Sequence, residues 1–101
     1  MTKQMIDDGA GWFDLDAASR YTETTYYDRR GNEISRATGD QWSSEELHRT
    51  KNNQWIIHWS SVRGAEDQWA SVEDFDAASW LLRCGYEPPR CLAAVVAEME
   101  R

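Results

Sequence analysis

Apolar residues recur at helical spacing along the C-terminal third of the chain. Ala77, Trp80, Leu81 and Cys84 fall at i, i+3, i+4 and i+7, and Leu92, Val95, Val96 and Met99 repeat that spacing, so two amphipathic helices are predicted. Gly85 stands where the first should stop, because glycine enters the left-handed conformation of a helix C-terminus without strain. Pro88-Pro89 pre-sets the start of the second. Ser71-Val72-Glu73-Asp74 reads as a capping box for the first helix, and Asp74 and Asp76 suit the positive end of its dipole. Upstream the pattern changes. Tyr21 to Asp28, rich in threonine and tyrosine, reads as a strand. Arg29-Arg30-Gly31-Asn32 is a turn, Glu33 to Thr38 a weaker returning strand, and Gln68-Trp69-Ala70 a short edge strand. With strands first and helices last, the predicted class is α+β: an antiparallel β-meander sheet of about four strands followed by two C-terminal helices packed on it. Residues 1–11 carry no pattern and are expected to be a flexible N-terminus, leaving residues 12–101 as a single α+β domain.

The clearest hairpin runs from Glu45 to Ser60. Asn52-Asn53 at its tip suits a two-residue primed turn, since asparagine tolerates the positive φ that such turns require. That turn pairs Thr50 with Trp55, His48 with Ile57 and Glu46 with Trp59. It gathers Trp55, Ile57, Trp59, His48 and Thr50 on the predicted core face, and leaves Leu47, Arg49, Ile56 and His58 on the other. The second face is also partly apolar and calls for a helix or a partner to cover it. In this register the two histidines point to opposite sides of the sheet and cannot share a site; His48 reads as a hydrogen-bonded histidine at the edge of the core.

Composition narrows the function. The chain has 101 residues, 41% hydrophobic and 12% aromatic, enough to build one core. No apolar run has the length of a membrane span, and the first residues lack the apolar stretch of a secretory signal, so a cytoplasmic location is expected. Eighteen acids against eleven bases give a net charge of −7, which disfavours a general nucleic-acid binder. Cys84 and Cys91 read as reduced thiols, and neither histidine has metal-site spacing to them. Neither a metal nor any other cofactor is expected.

No nucleophile elbow, phosphate-binding glycine loop, zinc-protease motif or dinucleotide fingerprint is present. The carboxylate pairs Glu45-Glu46, Glu66-Asp67 and Glu73-Asp74 read as solvated or helix-capping acids, and the chain is expected to be non-enzymatic. Between Glu66 and Asp76 lie five acids and no base. That segment suits either a solubilising, dipole-directed face or local competition with nucleic acid for a basic groove. Six tryptophans are the least ordinary feature. Trp55, Trp59 and Trp80 have core positions, whereas Trp12, Trp42 and Trp69 fall in connections or near edges, where aromatic residues either plug the sheet ends or anchor a partner. Protein binding is the function these features favour.

Three segments carry a resemblance. Phe13-Asp14-Leu15-Asp16-Ala17-Ala18, the hairpin from Glu45 to Ile57, and Asp76-Ala77-Ala78-Ser79-Trp80-Leu81 resemble the opening turn, hairpin and closing helix of small prokaryotic proteins carried on mobile elements. His48 stands where an aromatic residue is usual there and Asn53 where glycine is usual. In size and acidity the chain is similar to anti-CRISPR inhibitors of phages. The resemblance implies inhibition by occupation, with the chain docked on a Cas effector complex so that nucleic-acid binding or nuclease recruitment is blocked. The expected partner-binding residues are Trp42, Trp69, Glu66, Asp67, Glu73 and Asp74, and a homodimer is compatible with this reading. The alternative is a small transcriptional or nucleic-acid-binding regulator that uses Arg29, Arg30 and Arg36.

Overall fold

A computed structural model describes residues 1–101. Eight strands and two helices follow in order: β1 (Lys3–Met5), β2 (Trp12–Asp14), β3 (Ser19–Thr22), β4 (Thr25–Tyr27), β5 (Glu33–Ser35), β6 (Ser43–Arg49), β7 (Trp55–Ser61), β8 (Gln68–Val72), α1 (Asp74–Arg83) and α2 (Ala93–Glu98). The central sheet is antiparallel with strand order β3-β6-β7-β8, and β1-β2 and β4-β5 form separate two-stranded ribbons. The α+β class and the two C-terminal helices are as the sequence predicts. The meander holds only for β6, β7 and β8, because β3 reaches the free edge of β6 before the chain leaves the sheet for the β4-β5 ribbon.

That departure splits the single strand expected over Tyr21–Asp28. Glu23 causes the break: its Oε1 accepts 2.7 Å hydrogen bonds from the Ser35 hydroxyl and from the Glu45 backbone N–H. A side chain that satisfies two strands at once ties the ribbon to the sheet at this bend.

The helices cover one face of the sheet. Ala77, Ala78, Trp80, Leu81, Cys84 and Leu92 pack with Leu47 and Trp55, and Tyr21, Ile57, Val72, Val95, Val96 and Met99 close the margins. Both predicted helical stripes therefore face the core. Gly85 ends α1 at φ +83°, with its N–H bonded to the Leu82 carbonyl and the Tyr86 N–H to that of Leu81, the paired arrangement that stops a helix on a left-handed residue. The expected capping box does not form. Val72 is still paired with Trp55, so the chain is extended through Ser71, whose hydroxyl donates instead to Asp8 Oδ2 at 2.8 Å.

The hairpin register differs from the expected one by a single residue. Arg49 pairs with Trp55, His48 with Ile56, Leu47 with Ile57 and Glu46 with His58. The tip is a three-residue loop: the Asn53 N–H bonds the Thr50 carbonyl at 2.9 Å, the Thr50 N–H bonds the Gln54 carbonyl at 2.8 Å, and Asn53 adopts φ 59°. The Thr50 hydroxyl selects this longer loop by accepting the N–H groups of Asn52 and Gln54 at 3.2 and 3.1 Å. Because side chains alternate along a strand, one residue of shift moves every side chain of one strand to the opposite face relative to its partner. Leu47 joins the helix-covered core, and His48 turns to the other face beside Ile56.

Residues 1–11 are not a frayed end. β1 pairs with β2, and Ile6 is buried with Phe13 and Ile56 on the sheet face opposite the helices. Asp7 then satisfies the outer edge of β8: its N–H bonds the Trp69 carbonyl at 2.8 Å and its carboxylate accepts the Trp69 N–H at 2.7 Å. Strands of three residues are too short to register as a periodicity, and their stability comes from the sheet they cover and the open edge they close.

On the helix side, Trp80 Nε1 donates to Glu45 Oε1 at 3.1 Å. Burial raises the Glu45 pKa, and the nearby Glu23 charge adds to this, against the Trp80 hydrogen bond and the Arg83 charge. A carboxyl group with a raised native pKa binds more protons folded than unfolded, so stability falls as pH rises through the interval between its ordinary and its raised value. Glu45→Gln keeps an acceptor for Trp80 and removes this titration. Urea unfolding at pH 4 and pH 7 is expected to show the variant gaining on the wild type as pH rises; a constant difference would contradict the assignment.

Candidate functional site

The register brings together residues that the sequence reading kept apart. Glu46 and His48 lie two apart on β6 and share a face, and His58 on β7 stands directly opposite Glu46. Trp69 on β8 is opposite His58. Both imidazoles and the Glu46 carboxylate therefore meet on the face shared with the N-terminal ribbon, and the expectation of histidines on opposite faces is corrected. Residues Leu15, Arg20, Glu46, His48, His58 and Trp69 line an open concavity of about 390 Å³ there.

The two histidines have different surroundings. His48 is 3% exposed, packed between Phe13 and Trp69 with ring centroids 5.8 and 5.4 Å away. Neither of its ring nitrogens has a hydrogen-bond partner, which corrects the hydrogen-bonded reading; Nε2 lies 3.6 Å from Glu46 Oε1. Burial lowers its pKa, and the Glu46 charge opposes that shift without cancelling it. His58 lies flat on the Trp69 indole, centroids 3.8 Å apart and planes 7° from parallel. Its Nε2 is 2.8 Å from Asp67 Oδ2 and its Nδ1 3.3 Å from Glu46 Oε1. Arg20 approaches the other Glu46 oxygen at 3.6 Å.

The residues expected to bind a partner divide among three places. Trp69 is half-buried, stacked as described, and Asp67 reaches His58 from the loop between β7 and β8. Glu66 is exposed in that same loop. Glu73 and Asp74 lie beyond the far end of β8, where α1 begins, about 20 Å along the strand from Asp67 at roughly 3.4 Å per residue. The acidic segment is thus no single patch. Trp42 precedes β6 at the end of the sheet where β7 finishes: its carbonyl accepts the Val62 N–H at 2.9 Å, and the Arg63 guanidinium sits 4.0 Å from its ring centroid. Trp42 is 45% exposed and Val62 73%. Asp40 braces this corner by accepting the N–H groups of Trp42 and Ser43. These bonds, led by that from Trp42, hold its carboxyl below the usual range with help from the Arg63 charge. Arg29 and Arg30 occupy the turn joining β4 and β5, and Arg36 follows β5 with its guanidinium over Tyr26 at 5.1 Å.

Sequence reasoning missed the grouping of Glu46 with the histidines and the parts played by Arg20 and Asp67. One signal was present: the observed register places Leu47 with Trp55, Ile57 and Trp59, a more apolar face than the expected register offers. The chain matches no protein-family model, no curated protein and no solved structure.

Proposed function

We propose that this chain is a non-enzymatic protein-binding inhibitor that docks the Trp42 end of its sheet on a basic surface of a bacterial protein complex. A Cas effector is the partner that the resemblance to anti-CRISPR inhibitors suggests. The observation that carries the reading is the corner itself: an exposed indole beside exposed Val62, held in place by Arg63 and the backbone bond to Val62, with Glu66 in the adjoining loop. A rigid exposed aromatic loses little conformational freedom on binding. The net charge of −7 attracts the basic grooves in which effectors hold nucleic acid.

Binding kinetics on purified, guide-loaded Cas effector complexes test the reading. Trp42→Ala is expected to weaken binding by about 30-fold, chiefly through faster dissociation. Glu66→Lys is expected to slow association and flatten its salt dependence. Affinity indifferent to both changes, or no effector bound, overturns the proposal. One observation favours a second reading: the β4-β5 ribbon stands outside the main sheet with Arg29 and Arg30 at its tip, and β-ribbons of this kind fit a DNA groove. A low-salt gel shift of bare DNA, lost in Arg29→Ala/Arg30→Ala, would replace the inhibitor with a nucleic-acid-binding regulator.

A further inference from the structure

We infer that Glu46, His48 and His58 form a binding site for a divalent transition metal of the zinc class, independent of the docking corner. One ligand atom from each of the three lies within 4.8 Å of the other two. Glu46 Oε1 is 3.6 Å from His48 Nε2 and 3.3 Å from His58 Nδ1. Two ligands bound at about 2.0–2.1 Å to one tetrahedral ion stand about 3.3–3.4 Å apart. The His58 separation therefore matches an edge of such a site, and the His48 separation exceeds one by about 0.2–0.3 Å. Binding draws the two imidazoles, within 4.8 Å of each other, closer together.

Hydrogen-bond accounting leads to the same place. A buried imidazole with no partner on either nitrogen carries a desolvation cost that a hydrogen bond or a metal relieves. His48 is that case, and its Nε2 faces Glu46. His58 adds a second requirement. The Asp67 carboxylate only accepts, so the 2.8 Å contact assigns the His58 proton to Nε2. In a neutral ring Nδ1 then carries a lone pair, and it meets another acceptor, Glu46 Oε1, at 3.3 Å. A second proton or a metal cation on Nδ1 satisfies both groups, and the buried His48, unpartnered beside the same Glu46 oxygen, is what favours the metal. A carboxylate on the far nitrogen of a ligating histidine is the usual outer support of zinc sites. Arg20 on the other oxygen of Glu46 leaves Oε1 as the single ligating atom.

The shell suits the ion. Trp69 under His58 and Phe13 beside His48 fix both rings. Two imidazoles and one carboxylate favour zinc and its neighbours over magnesium or calcium, which prefer all-oxygen sites. Three protein ligands leave a fourth position, which opens into the concavity for water or an incoming ligand atom.

The test uses the full chain, stripped with a chelator and titrated with Zn²⁺ by calorimetry, with Co²⁺ absorption as a reporter of coordination. One equivalent of Zn²⁺ is expected to bind with a Kd of about 1 µM or tighter. Glu46→Gln and His58→Asn are each expected to weaken binding by at least about 100-fold and Asp67→Asn by about 10–100-fold, while Cys84→Ser/Cys91→Ser binds as the wild type. Circular dichroism of the metal-free variants separates lost ligation from lost folding. Absence of binding at about 0.1 mM metal, or undiminished affinity in folded His58→Asn, overturns the site. So does nitrogen-15 NMR that finds both His58 ring nitrogens protonated in the presence of Zn²⁺, since a proton then bridges the carboxylates.

Discussion

Replacing Trp80 with alanine is expected to destabilise the protein by about 3–5 kcal/mol, the range for deleting a buried indole. The ring is wholly buried where α1 meets the sheet, among Leu47, Trp55 and Leu81. Its loss leaves a void between layers that are held apart by β6, β7 and the backbone of α1, so the site cannot collapse to fill it. The Glu45 carboxylate also loses the N–H that it accepts. Total stabilities of small domains are about 5–15 kcal/mol, so a large fraction disappears with one side chain. Trp80→Phe should cost less, because it restores most of the volume and forfeits mainly the hydrogen bond. Urea unfolding of both variants checks this, and a loss below about 1 kcal/mol for Trp80→Ala would mean that α1 is not seated on the sheet as described.

Deleting residues 1–8 is expected to be nearly as damaging, although the sequence reads this segment as part of a flexible N-terminus. Ile6 is 6% exposed and covers Ile56, itself 1% exposed, together with Phe13. Ile6→Ala alone should cost about 2–4 kcal/mol. The deletion also uncovers Ile56 and Phe13, breaks the β1-β2 pairing, and removes both Asp7 bonds to Trp69 and the Asp8 bond to Ser71. Hydrogen exchange gives a local readout. The Trp69 amide, bonded to Asp7 Oδ2, should lose protection in the deletion variant before the amides of β6 and β7 do. Unchanged unfolding and unchanged Trp69 protection would restore the reading of a loose end.

These outcomes follow how legible each part was. The stripes of α1 and α2, the stop at Gly85, the turn at Arg29-Arg30-Gly31-Asn32 and the hairpin from Glu45 to Ser60 could be read because each depends on neighbours within a few residues. The N-terminal ribbon could not, since Lys3–Met5 is too short to carry a period and is stabilised by β2 and the edge of β8. The histidine site was lost to one residue of register. Asn52-Asn53 suggested a two-residue turn, but the Thr50 hydroxyl makes the three-residue loop the better-bonded one. Everything said of His48 and His58 changed sides with it.

The amino-acid sequence alone determined the two C-terminal helices, where α1 ends, the hairpin of β6 and β7, the acidic balance, and the α+β class, since these rest on local backbone preference and on spacing along the chain. Only the tertiary structure decided which face each strand side chain occupies, that residues 1–8 close the second face, that Trp42 stands exposed while Trp69 is stacked, and that Glu46, His48 and His58 converge. Strand register and layer packing are sums over distant contacts. A shift of a few ångströms in one loop reverses them without changing any local pattern.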